Sequence, residues 1–350
     1  MSPAGDQIMT RAKSGGLPAA AAGLSIVVPL FNEAASLPRL HDRLIEIAQK
    51  LAAGRALACE VVYVDDGSAD DTLSIARALP ATALDVQVVS LSRNFGKEAA
   101  LLAGIDHARR GAVLFMDGDG QHPPALIETM VGYWLDDGYD VIYTAKSSRT
   151  NESFARRTAV KMFYRLLNSD GRVKIPENAG DFRLLSPRAA SALRQLPERN
   201  RFFKGLASWI GFRQKRIDYE PEQRADGKSS WSVRSLIGLS LDGLTGFSVA
   251  PLRMATVLGL IFAVIALIYG SQIVYETMVH GASVPGYPSV FVGVMVLGAV
   301  QLIMLGVLGE YIGKVLYEIK ARPVYFVAEH DVKLRDDASE AGTGTRTAAE

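Results

Sequence analysis

Short β-branched apolar runs alternate with helix-period stretches through the first part of the chain. Leu24-Ser25-Ile26-Val27-Val28-Pro29-Leu30 reads as a first strand, with Pro29 closing it. Over residues 36–53, Leu37, Leu40, Leu44, Ile47 and Leu51 recur at spacings of three and four, which predicts an amphipathic helix. Residues 60–64 give a second strand, 72–79 a helix, 86–91 a third strand and 96–108 another helix. The apolar run Val113-Leu114-Phe115-Met116 then predicts a buried strand. Strands and helices alternating about every thirty residues mean βαβ units and a mostly parallel sheet.

Two of these strands end in acidic pairs. Val64 runs into Asp65-Asp66-Gly67-Ser68, and Met116 into Asp117-Gly118-Asp119-Gly120-Gln121-His122-Pro123. In an open α/β sheet, ligands sit beyond the carboxyl ends of the strands. Carboxylates there face a crevice. Asp117 and Asp119, two apart across a glycine, can turn toward one hard cation, and Gln121 adds a neutral oxygen. Mg²⁺ and Mn²⁺ favour such oxygen ligands, and Mg²⁺ often binds through one or two carboxylates plus substrate phosphates. A Gly/Asp turn leaving a strand would carry the same residues without any metal. No Gly-x-Gly-x-x-Gly follows the first strand and no Walker-type loop is present, which argues against a dinucleotide enzyme and a P-loop ATPase.

Beyond residue 146 the pattern changes. Residues 153–167 are helical in period, with Arg157, Lys161 and Arg165 on one stripe and Val160, Phe163 and Leu167 on another face. That suits either a membrane surface or a solvated face over a protein core. Gly180-Asp181-Phe182-Arg183, Glu198-Arg199-Asn200-Arg201-Phe202 and Arg224-Ala225-Asp226-Gly227-Lys228-Ser229 follow, each polar, Arg-bearing and of loop composition. Arginine's planar fork binds phosphate oxygens in pairs.

Residues 254–274 and 290–312 are each about as long as the roughly 20 apolar residues that cross a bilayer. Their connection carries Glu276 and His280 but no Lys or Arg. Arg253, Lys314, Lys320 and Arg322 flank them, so the positive-inside rule places both flanks and the N-terminal domain in the cytoplasm. Gly259, Gly293, Gly298, Gly306 and Gly309 would allow close helix packing, and with it a homo-oligomer.

Composition adds little beyond this. The 350 residues carry a net charge of +1, so nothing in the total suggests a nucleic-acid partner. Cys59 is the single cysteine, which excludes an intrachain disulfide and fits a reducing compartment. Residues 1–23 and 338–350, rich in small and polar types without period, read as disordered tails. The expected layout is an α/β catalytic domain at 24–232, interfacial helices at 233–253, the two spans, and a juxtamembrane segment at 313–337.

Val28-Pro29-Leu30-Phe31-Asn32-Glu33, Asp65-Asp66-Gly67-Ser68 and the Asp117–Pro123 run resemble the signatures of family 2 GT-A glycosyltransferases. Asn178-Ala179-Gly180-Asp181-Phe182-Arg183-Leu184, the 198–202 and 224–229 runs and the two spans narrow the resemblance. They are similar to polyprenyl-phosphate glycosyltransferases, relatives of dolichyl-phosphate mannosyltransferase, in the bacterial undecaprenyl-phosphate (bactoprenol) branch. The resemblance covers about residues 24–330 and rests on the ordered combination.

It implies a GT-A domain, Rossmann-like with a mixed, mostly parallel sheet, followed by a two-helix transmembrane hairpin. It implies transfer of one sugar, glucose on UDP being the commonest expectation, from a nucleotide diphosphate to a polyprenyl phosphate. Pro29, Phe31, Glu33 and Asp66 would line the nucleoside pocket. Asp117, Asp119 and Gln121 would hold Mg²⁺ or Mn²⁺ and the diphosphate, and Arg149, Arg224 and either Arg157 or its neighbour Arg156 would contact phosphates. Asp181 would be a base or an orienting carboxylate, with an ion-pair partner for nearby arginines as the plain alternative. Two departures stand out: Gly118 replaces the usual Ala of Asp-Ala-Asp, and Ser229-Ser230-Trp231 stands where Ser-Lys-Tyr is common. A processive polysaccharide synthase would share the domain but carries Gln-x-x-Arg-Trp and more spans. A catalytically silent membrane scaffold would not need the acidic pairs.

Overall fold

The computed structural model describes residues 23–146, 176, 179–199, 201–219, 250–280 and 286–335. The predicted alternation is present: β1 (Leu24–Leu30), α1 (Leu37–Arg55), β2 (Cys59–Asp65), α2 (Thr72–Ala78), β3 (Asp85–Leu91), α3 (Lys97–His107) and β4 (Ala112–Phe115), followed by α4 (Leu126–Leu135), which the sequence reading did not assign. Next come β5 (Val141–Lys146), β6 (Ala179–Leu185), α5 (Pro187–Arg194), α6 (Phe203–Trp209) and β7 (Gln214–Tyr219). The chain continues through α7 (Ala250–His280) and α8 (Tyr287–Ile319) to β8 (Val327–Lys333).

Among the described residues, eight strands form one sheet in the order β7-β5-β6-β4-β1-β2-β3-β8. The pairs β1–β2, β2–β3 and β1–β4 are parallel, whereas β6 runs antiparallel to β4 and β5. The chain builds outward from β1 through β2 to β3, then returns to place β4 on β1's other side. That reversal opens a crevice at the carboxyl ends of β1 and β4.

Alternation along β1 sets the two faces. Ile26, Val28 and Leu30 pack toward α1, with Leu37, Leu40, Leu44 and Ile47; Val27 packs toward α3, α5 and α6, with Ala100, Ile105 and Leu193. Each fully buried Val, Leu or Ile contributes about 1.5–3 kcal/mol relative to exposure. Cys59 is one of these core residues; burial pushes its thiol up to about 12, so it is inert at neutral pH.

Three expectations need correction. The first strand has its expected bounds, but Pro29 does not close it, since Pro29 pairs in register with Val64 and Leu30 with Asp65. Residues 180–183 are not a loop but the centre of β6. Their polar composition misleads because Arg183, although charged, is buried and donates to the carbonyls of Gly180 and Phe203. The segment after the spans is not simply juxtamembrane, since it contains β8, which pairs antiparallel with β3.

That last strand anchors the helical hairpin. The Ser92 amide donates to the Phe326 carbonyl, the Tyr325 hydroxyl bonds Asp106, and the Arg199 amide donates to the Glu318 carboxylate at the end of α8. Residues 257–276 and 293–319 are long and apolar enough to cross a membrane, and their apolar side chains are exposed rather than packed in a core. These stretches associate the protein with a membrane. The helices overrun the expected spans of 254–274 and 290–312 at both ends.

Candidate active site

The loops after β1, β2 and β4 meet at the crevice. Asn32, in the left-handed region at φ 57°, is stitched to the loop after β2: its amide donates to Ser68 Oγ, and its side-chain oxygen accepts the Ala69 amide. The Glu33 amide donates to Thr72 Oγ1. The Ser36 hydroxyl lies 2.8 Å from both the Glu33 carboxylate and the Gly118 carbonyl, tying the β1 loop to the Asp117–Asp119 turn. A Cβ at residue 118 would stand 2.8 Å from Leu30 Cδ2 and 3.4 Å from the Pro29 carbonyl. The glycine at the centre of this acidic turn therefore has a local reason, since the turn lies against β1.

Pro29, Phe31 and Glu33 lie on this rim, with Phe31 exposed over 48% of its surface. Asp66 is buried, and its carboxylate accepts the amides of Phe95 and Gly96. Burial raises its pKa and those two donors partly offset the rise. Asp66 thereby fixes the loop that leads into α3.

The turn after β4 is fixed from within. His122 Nδ1 accepts the Asp117 amide, and its ring stacks on Phe182 at 5.0 Å. Accepting at Nδ1 leaves the hydrogen on Nε2. Burial lowers the pKa of His122, so the ring is neutral. Asp119 Oδ1 accepts the Gln121 amide in a tight local turn.

Asp181 meets Asp117 through sheet register. Phe115 pairs with Arg183 across β4 and β6, and continuing that antiparallel pairing two residues sets Asp117 opposite Asp181. Between them sits Lys97, the first residue of α3. Its Nζ is 2.6 Å from Asp117 Oδ1 and 2.6 Å from Asp181 Oδ2, while Lys204 Nζ is 3.3 Å from Asp181 Oδ1. Asp117 keeps 27% and Asp181 22% of its side chain exposed, so both face the crevice. Burial alone would raise the pKa of Asp181, but Lys204, Lys97 and Arg183 outweigh it and hold the carboxyl well below the usual range. Burial would likewise discharge Lys97, and Asp181 and Asp117 reverse that. Next to them, burial and the Asp181 charge push Glu98 up to about 7, although its carboxylate accepts the Phe203 amide.

A cavity of about 1000 Å³ runs from this cluster to the hairpin. Lys97, Asp181, Arg201 and Lys204 bound it on the domain side, and Gly313 and Tyr317 on α8. Arg201 donates Nε and Nη2 to the carbonyls of Glu198 and Leu196. Its Nη1 is buried with no partner among the described residues.

Of the residues expected from sequence, the structure brings together Pro29, Phe31, Glu33, Asp66, Asp117, Asp119, Gln121 and Asp181. Arg149, Arg157 and Arg224 lie outside the described residues, as do the helical pattern at 153–167 and most of 233–253. Lys97, Glu98, His122 and Lys204 were not singled out. Lys97 carried one readable signal: a lysine opening a helix opposes the macrodipole and calls for a compensating anion.

Fold and site together define a GT-A-type α/β domain carrying an apolar helical hairpin. Residues 25–194 match the family model for glycosyl transferase family 2, and residues 250–315 match that for the GtrB C-terminal hairpin. An uncharacterized glycosyltransferase from Synechocystis sp. is 43% identical over 87% of this chain and 95% of its own length. A putative glycosyltransferase from Bacillus subtilis is 40% identical over 89% and 93%. A bactoprenol glucosyl transferase of Shigella phage SfV is 40% identical over 89% and 99%. Among solved structures, glucosyl-3-phosphoglycerate synthase from Mycobacterium tuberculosis, with Mn²⁺ and UDP, is 20% identical, covering 64% of this chain and 78% of that one at TM-score 0.42. The chain belongs to glycosyltransferase family 2, and it is a glycosyltransferase.

Proposed function

We propose that this glycosyltransferase moves a single glucose from UDP-glucose to undecaprenyl or another polyprenyl phosphate at the cytoplasmic face of a membrane. Lipid-linked sugar for envelope glycan modification would be the product. The observation that carries this reading is the cation-lined cavity joining the Asp117–Asp181 cluster to α8. A polyprenol tail stays in the bilayer, so its phosphate must reach the site from the hairpin side. The phage relative's name supports the same substrate class.

The acceptor phosphate has a second pKa of about 6 and is mostly dianionic at neutral pH. It needs no general base, which agrees with an Asp181 held firmly ionised by lysines. Asp181 then orients Lys97 and Lys204 rather than taking a proton. Those lysines and Arg201 would draw the acceptor anion toward an anionic donor, the main barrier to this reaction. Attack opposite the leaving nucleotide inverts the anomeric carbon in one displacement. Pro29, Phe31 and Glu33 would border the nucleoside, with Asp66 shaping that pocket through the 95–96 backbone.

The donor set fits a divalent Mg²⁺ or Mn²⁺. Asp117, Asp119 and the Gln121 side chain supply hard oxygens on a turn pinned by His122. An ion held by these two carboxylates would complete its shell with substrate phosphates. Such an ion would neutralise charge on the departing diphosphate. Arg149, Arg157 and Arg224 remain candidates for further phosphate contacts.

Topology follows the same reading. The pairing of β8 with β3 after the second apolar helix supports a hairpin whose two ends would share one side of the membrane. The flanking Arg253, Lys314, Lys320 and Arg322 favour the cytoplasm.

Purified protein in detergent, given undecaprenyl phosphate, Mg²⁺ or Mn²⁺ and a panel of nucleotide sugars, is expected to add one hexose to the lipid from UDP-glucose. Mass spectrometry of the extracted lipid reads the outcome and names the donor. Intact nucleotide binding with no lipid product from any donor would overturn this reading in favour of a non-catalytic scaffold.

A further inference from the structure

Lys97 is held where a helix least favours a cation. It opens α3, and the helix macrodipole opposes positive charge there. Asp66 fixes this placement by taking the amides of Phe95 and Gly96 just before it. The ammonium then sits 2.6 Å from both Asp117 and Asp181. Lys204 lies on the other oxygen of Asp181, and Arg183 is buried in the same group. Three carboxylates, Asp117, Asp119 and Asp181, therefore share their surroundings with three cations, Lys97, Lys204 and Arg183.

A free divalent ion approaching Asp117 and Asp119 thus meets a cluster of little net charge. An ammonium already lies 2.6 Å from one of those two carboxylates. Like charges this close oppose each other strongly in a partly desolvated site. A donor diphosphate changes the balance, because its negative charge can satisfy the lysine and the divalent ion together.

We propose that Lys97 is a resident counter-ion of the Asp117–Asp181 pair that keeps divalent-ion affinity low until the donor diphosphate arrives, so that metal and nucleotide bind as a coupled pair. Lys97 is then a positioning residue: before substrate binds it holds the two carboxylates in register across β4 and β6. This inference rests on the metal and donor assignments of the proposed function.

The test measures Mn²⁺ affinity by electron paramagnetic resonance of free Mn²⁺. It uses full-length protein in detergent, with and without UDP. Wild type is expected to bind Mn²⁺ weakly alone and at least about tenfold more tightly with UDP. Lys97→Met is expected to bind Mn²⁺ alone at least about tenfold more tightly than wild type, with UDP adding less than about threefold. Lys97→Arg keeps the charge and is expected to keep the wild-type pattern. Thermal melts of both variants report folding. Equal or weaker Mn²⁺ affinity in folded Lys97→Met overturns the proposal and leaves the metal assignment standing. Wild type that binds Mn²⁺ equally well with and without UDP overturns it without any variant. Failure of every protein to bind Mn²⁺, even with UDP, removes the metal from the proposed function and this proposal with it.

Discussion

The two ends of the central sheet treat buried carboxylates in opposite ways. At the amino end, Glu60 near the start of β2 is fully buried. One of its oxygens accepts from Ser25 Oγ and the amides of Arg109 and Arg110, and the other accepts from Gln87 Nε2. Two of these four donors are backbone, fixed by the fold itself. At the carboxyl end, Asp117 and Asp181 stay partly exposed, and their shared partner is the flexible end of Lys97. A carboxylate satisfied by rigid backbone amides is bound to the structure for good. One satisfied by a lysine tip can exchange that partner for a substrate. The difference marks which end of the sheet is structural and which is chemical.

Substitutions at the two ends should separate activity from stability. Asp117→Ala is expected to cut sugar transfer to lipid by roughly 1000-fold or more. Its melting temperature should stay within a few degrees of wild type, because Lys204 still neutralises Asp181. Near-normal turnover in the lipid assay would remove Asp117 from the chemistry. Glu60→Ala should do the reverse. It strands buried donors at Ser25, Gln87 and two amides and is expected to cost about 3 kcal/mol of stability. The folded fraction should keep near-normal turnover, and chemical denaturation alongside the lipid assay reads both. A fully stable Glu60→Ala protein would erase the contrast between the two ends.

Glu98 gives the most pH-dependent effect. Its folded pKa of about 7 lies above the usual carboxylate value, raised chiefly by burial. Stability from the neutral carboxyl is therefore fully present below the unfolded pKa and is lost as pH rises through about 7. Glu98→Gln removes that loss while keeping an acceptor for the Phe203 amide. It is expected to be more stable than wild type by up to about 3 kcal/mol above pH 8 and nearly equal below pH 4.5. Melts across that range check it, and a pH-independent difference would contradict the assignment.

Much of this was legible in the residues alone. Continuous apolar runs located β1 to β4, because those strands are buried on both faces, and the 3.6 period located α1 to α3, which bury one face. The acidic runs after β2 and β4 marked the crevice, because a mostly parallel sheet puts strand ends and ligands together. Two long apolar stretches identified the hairpin, again from near neighbours in sequence.

Only the tertiary structure decided the rest. The strand through Asp181 and Arg183 reads as polar loop until pairing with β4 and β5 buries the arginine against backbone carbonyls. The strand β8 carries Glu329, His330, Asp331 and Lys333, and nothing in that charged run shows that β3 offers it an open edge. Most of all, Lys97, Asp117 and Asp181 are far apart along the chain. Periodicity records which face of an element is buried, a property of near neighbours in sequence. Which charges meet depends on sheet order and register, which long-range packing sets.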